Sequence, residues 1–116
     1  MVKSWINGPL SEQGPLKAGM TQIHGVAFAG TQPLQGVEVS VDGGATWSRA
    51  QLIGPDLGRF AWRQFVLPVR LAAGTHVLAS RATDAAGHAQ PAEREENNRG
   101  YNNNSWRDHA VTVTVA

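Results

Sequence analysis

The run Gly36-Val37-Glu38-Val39-Ser40-Val41-Asp42-Gly43-Gly44-Ala45-Thr46-Trp47 limits the fold more than any other part of the chain. Val37, Val39 and Val41 alternate with polar residues, the two-residue period of a half-buried strand. Asp42, Gly43 and Gly44 follow, and these residue types tolerate the positive φ that a tight hairpin needs. Thr46 and Trp47 restart an extended segment, with the indole expected to return to the apolar face. The stretch therefore predicts a β-hairpin that a tryptophan anchors.

The rest of the chain repeats this style. Thirteen glycines and six prolines punctuate short apolar runs, and no stretch keeps a helical period. Strands are expected at about Thr21–Ala29, Gly36–Val41, Trp47–Ile53, Phe60–Leu67, Thr75–Thr83 and Ala110–Ala116. Gly25 interrupts the alternation of the first of these and predicts a bulge. Pro68 predicts the end of a strand or an edge position. Residues 1–19 carry Gly8-Pro9 and Gly14-Pro15 and read as a lead-in or linker in which Trp5 and Ile6 pack on the domain. Six or seven strands with closely spaced turns fit an all-β, immunoglobulin-like sandwich over residues 20–116; a small open barrel is the alternative.

Composition removes several function classes. Ten Lys and Arg against nine Asp and Glu leave no basic excess for neutralising phosphates or anionic lipids, so neither nucleic acid nor a membrane surface is an expected partner. No apolar run approaches the roughly 20 residues of a membrane span. There is no cysteine, which excludes disulfides, thiolate nucleophiles and thiolate metal ligands. His24, His76, His88 and His109 lack close metal-ligand spacing, and no Gly-x-Ser-x-Gly elbow occurs. Glu93, Glu95 and Glu96 lie beside Arg94 and read as a solvated loop.

Two features remain. The four tryptophans, Trp5, Trp47, Trp62 and Trp106, read as core plugs or interface anchors, or alternatively as a platform for sugar rings. The polar segment Glu95 to Trp106 places Arg99 beside Gly100 among amide side chains. Its planar fork of donors suits an oxyanion, although spacing alone favours an ordinary exposed arginine.

Ser40-x-Asp42-x-Gly44-x-Thr46-Trp47 matches the Asp-box pattern of sialidase-type propellers, but one copy in 116 residues is too short for a propeller of about four blades or more. The wider order is more specific. The run Gly36 to Trp47, then Ala50, Phe60-Ala61-Trp62-Arg63, Arg81-Ala82-Thr83-Asp84, Gln90-Pro91, Asn98-Arg99-Gly100-Tyr101 and Asn104 resembles the C-terminal Mo-co oxidoreductase dimerisation domain of the sulfite oxidase family. Lys3-Ser4-Trp5-Ile6 resembles the junction that enters it.

The resemblance implies an immunoglobulin-like (E-set) sandwich of about seven strands over residues 20–116, following a molybdopterin-binding catalytic domain. That domain holds the molybdenum cofactor through a cysteine, so this chain is expected to bind no cofactor and to be inactive alone. The parent implied is a periplasmic, molybdopterin-dependent sulfite oxidase or dehydrogenase. The implied partners are the catalytic domain of the same protein and either a second copy or a cytochrome subunit. The resemblance also assigns Arg99 to the substrate anion pocket of the intact enzyme, and leaves Asp42, Gly43, Gly44 and Trp47 a structural role. A free-standing carbohydrate-binding or adhesion module is the rival reading.

Overall fold

A computed structural model describes residues 2–12, 14–30, 32–54, 62–92 and 105–116. Among the described residues eight strands form two four-stranded sheets, and every strand pair is antiparallel. The strands are β1 (Lys3–Gly8), β2 (Gly19–Phe28), β3 (Leu34–Ser40), β4 (Ser48–Arg49), β5 (Gln51–Ile53), β6 (Arg63–Leu71), β7 (Gly74–Asp84) and β8 (Val111–Val115). The first sheet runs β1-β2-β6-β5 and the second β4-β3-β7-β8. This is the all-β immunoglobulin-like sandwich expected from the sequence.

Alternating residues build the core. Ile23, Ala27 and Phe65 from the first sheet meet Val37, Val39, Leu78, Ala82 and Val113 from the second, all buried. Phe65 is fully enclosed, and removing such a side chain from water contributes on the order of 2–3 kcal/mol.

Four local expectations are corrected. Residues 3–8 of the lead-in form an edge strand on β2, with Lys3 opposite Phe28 and Ile6 opposite Gly25. The signal was inverted there: Ser4 and Ile6 face inward while Lys3 and Trp5 face out. Gly25 is no bulge in the β2–β6 register, which runs unbroken from Gly19–Leu71 to Ala27–Arg63. The irregularity lies opposite it, between Ile6 and Gly8 of β1. Gly25 is instead a point of close approach, since a Cβ there would meet the Trp5 carbonyl and lie 2.5 Å from the Phe65 ring.

β6 continues through Pro68, which pairs with Gln22. Among the described residues β5 reaches only as far as Val66 on the other flank, so of the two expectations for Pro68 the edge position holds and the strand end does not, and a missing N–H is tolerated there. The expected Trp47–Ile53 strand divides at Ala50. Ser48 and Arg49 pair with β3, Gln51 to Ile53 pair with β6, and the chain changes sheets between them. The Ala50 amide still donates to the Val37 carbonyl, at 2.8 Å. The expected strand start at Phe60 lies outside the described residues.

Candidate functional site

The hairpin after β3 is closed by side chains. The Ser40 hydroxyl donates to Asp42 Oδ1 at 2.7 Å and accepts the Gly44 amide at 2.8 Å. Asp42 Oδ1 accepts the Thr46 amide at 2.9 Å, and Oδ2 accepts the Thr46 hydroxyl at 2.6 Å. Asp42 thus spans the turn as an acceptor of several donors. These bonds, the Thr46 hydroxyl first, hold its carboxyl down at about 2. Gly43 and Gly44 have φ of 71° and 97°, the left-handed region that favours glycine. The Gly43 amide donates to the Val77 carbonyl at 3.1 Å, tying the turn to β7.

Trp47 does not return to the core. It lies on the outer side of the second sheet, where Arg81 sits over its ring at 4.2 Å. The Trp106 ring meets it edge-on, with centroids 4.9 Å apart at 82°. Gly44 lies under Trp106: a Cβ there would fall 2.9 Å from the indole Cζ3. Ser40 and Ala79 face one another across β3 and β7 on this outer side, yet both are buried. The hairpin and Trp106 form a cap over that end of the sheet.

The cap continues into a buried polar junction. Ser4 of β1 hydrogen-bonds Ser80 of β7 at 2.8 Å and donates to Gln90 Oε1 at 2.5 Å. Gln90 Oε1 also accepts the Ala82 amide at 2.9 Å. One amide side chain therefore links both sheets to the segment after β7. The Pro91 carbonyl accepts the Trp106 amide at 2.9 Å, so the flanks of residues 93–104 are fastened together at the cap. Arg99 and Gly100 lie outside the described residues.

Two neighbouring features complete this end. Asp84 is buried, which opposes ionisation, but the His88 amide, the His88 ring and the Ala86 amide outweigh burial and lower its pKa. Trp5, Trp62 and Phe28 cluster on the outer face of the first sheet, with centroids 4.9 Å and 5.1 Å from Trp62. Trp62 is 46% exposed. The Trp5 and Trp62 planes are tilted by 55°, which is not the flat platform that stacked sugar rings need.

Sequence reasoning missed the Ser4–Gln90 link and the role of Trp106. A serine inside an edge strand carries no pattern signal. A tryptophan after an Asn-rich run gives no indication of which ring it will meet.

Among the described residues no group of three or more His, Cys, Asp or Glu is placed to hold a metal ion. The chain has no cysteine, so its donor set does not fit a molybdenum centre that needs a thiolate.

The family model for the Mo-co oxidoreductase dimerisation domain matches residues 2–115. The crystal structure of the sulfane dehydrogenase SoxCD from Paracoccus pantotrophus contains a similar fold, with a TM-score of 0.75 and 32% sequence identity. The similarity covers 99% of this chain and 33% of that one, so the chain spans about a third of that relative's length. None of the curated proteins compared with this chain matches it. The family match over residues 2–115 and the two-sheet sandwich agree: the chain belongs to the Mo-co oxidoreductase dimerisation domain family.

Proposed function

We propose that this chain is the packing domain of a sulfite-oxidase-like molybdenum enzyme, inactive by itself, and that Arg99 contributes to the enzyme's anion pocket. The family match over residues 2–115 carries the reading. The similarity to a third of a sulfane dehydrogenase chain supports it, because it leaves a catalytic domain to the remainder of such a protein.

The molybdenum cofactor would be held by that other domain, since this chain offers no thiolate. Its own contribution is a rigid frame. Gln90, Pro91 and Trp106 fasten the flanks of residues 93–104 to the core. A guanidinium beside a sulfur oxyanion supplies two parallel charge-assisted hydrogen bonds. By the same resemblance the parent is periplasmic and pairs with a second copy or with a cytochrome subunit.

The experiment is Arg99→Met in the full-length enzyme, assayed with sulfite. Loss of charge-assisted hydrogen bonds worth about 1.5–3 kcal/mol should raise KM roughly tenfold or more. An unchanged KM removes Arg99 from the pocket. A full-length protein without molybdenum removes the enzyme reading.

A further inference from the structure

The two outer faces of the sandwich differ in chemistry. The second sheet presents the Glu38–Arg81 ion pair at 2.8 Å, Arg49, and the exposed Thr112 and Thr114. Its one apolar end is already covered by the hairpin and Trp106. Among the described residues the first sheet has no such cover, save His109 stacked beside Trp5. Its outward positions carry Trp5, Val26, Phe28, Val66 and Ile53, interleaved with the amides Gln22, Gln51 and Gln64, and Trp62, just before β6, packs on Trp5 and Phe28. Among its described outward residues there is no carboxylate, and the cations Lys3 and Arg70 stand at opposite ends.

This face also has complementary relief. The Trp5–Trp62–Phe28 cluster stands at one end, with Trp62 46% exposed. Beside it lies a groove of about 320 Å³ lined by residues including Gln22, His24, Ile53, Gln64 and Val66. Val26 and Gln64 pair in register between the ridge and the far end of the groove.

From this relief we infer that the outer face of the β1-β2-β6-β5 sheet is the surface through which two copies of this chain pair. The inference rests on the reading of the chain as a dimerisation domain and adds which face does it. An isologous contact needs one patch that fits itself. A two-fold axis near Val26 and Gln64 places the aromatic ridge of each copy in the groove of its partner. The two-fold brings the Lys3 end of each copy over the Arg70 end of its partner, so like charges meet at the rim while the centre is neutral, and the contact should tighten as salt rises. Amides both donate and accept, so glutamines facing their symmetry mates can satisfy each other. Sheets pack face to face in this way within sandwich cores.

Strand spacing and rise give a flat footprint of roughly 450 Å² per copy, which protruding indoles enlarge. The total of about 1,000 Å² lies at the lower limit of specific interfaces, so the isolated pair is a weak, concentration-dependent dimer.

The lack of cysteine makes the test clean, because one introduced thiol is unique. Gln64→Cys, treated with a short bismaleimide linker, should yield a covalent dimer. Thr112→Cys on the opposite outer face should not. Trp62→Glu should weaken self-association at least tenfold by sedimentation, with an unchanged circular dichroism spectrum showing that the fold persists. A dimeric mass with linkage from Thr112→Cys and none from Gln64→Cys overturns the inference while the dimerisation reading stands. Full-length parent that is dimeric but gains no linkage from Gln64→Cys beyond that of the unsubstituted parent also overturns it, assigning the face to another partner such as the catalytic domain. A monomer in both the isolated chain and the full-length protein overturns the dimerisation reading together with the inference.

Discussion

Trp47 and Trp106 meet edge to face with their centroids 4.9 Å apart, although 59 positions of sequence separate them. The contact joins the hairpin after β3 to the segment that enters β8. Trp106 is buried while Trp47 is partly open, so the two should respond unequally. Trp106→Ala should cost about 3–5 kcal/mol in urea unfolding, and Trp47→Ala less. Equal small losses would show that the cap contributes little to stability.

Gly44 is constrained twice, by a φ of 97° and by the ring above it. Gly44→Ala should therefore cost about 2–3 kcal/mol. Gly74 has a φ of 133° but open space around its Cα. Gly74→Ala should cost only the backbone component, about 1 kcal/mol. Comparing the two urea midpoints separates ring clash from backbone strain.

Asp42 makes the hairpin sensitive to acid. Its carboxyl lies at about 2 in the fold against an ordinary 3.8, because the Thr46 hydroxyl, the Thr46 amide and the Ser40 hydroxyl all donate to it. A depressed folded pKa means that this contribution is fully present above about pH 4 and is lost as pH falls toward 2. Thr46→Val removes the largest cause, so the Asp42 titration followed by carboxyl NMR should move up toward 3.8. An unmoved titration would contradict the hydrogen-bond origin.

Gln90 accepts from both Ser4 and the Ala82 amide inside the protein. Gln90→Ala leaves those donors without this acceptor and should cost about 1–3 kcal/mol. Ser4→Ala combined with Gln90→Ala should be non-additive, with a coupling of about 0.5 kcal/mol or more. Additive losses would mean that the inter-sheet link carries no energy of its own.

The sandwich was legible because β2, β3, β7 and β8 follow the alternation rule and their turns hold glycine where φ is positive. The hairpin was legible for the same reason, with Asp42 and Thr46 at the spacing that lets a carboxylate span a turn. β1 was hidden because tertiary context reverses its pattern: Ser4 is buried through a hydrogen bond, and Trp5 lies outside against Trp62 and beside His109. β6 was cut short at Pro68 because the extent of β5 cannot be read from the sequence of β6. Alternation sends Trp47 to the core because it takes no account of a third layer, and Trp106 supplies one. The outer apolar face of the first sheet is scattered over residues 5 to 66 and becomes one surface only when the strands are aligned.

The most direct test of the account is the product itself, isolated from its source with an antibody raised against this chain. Its mass and molybdenum content are then measured together. The account predicts a polypeptide several times longer than 116 residues that carries molybdenum and pterin. A natural 12.4 kDa species without molybdenum would contradict it.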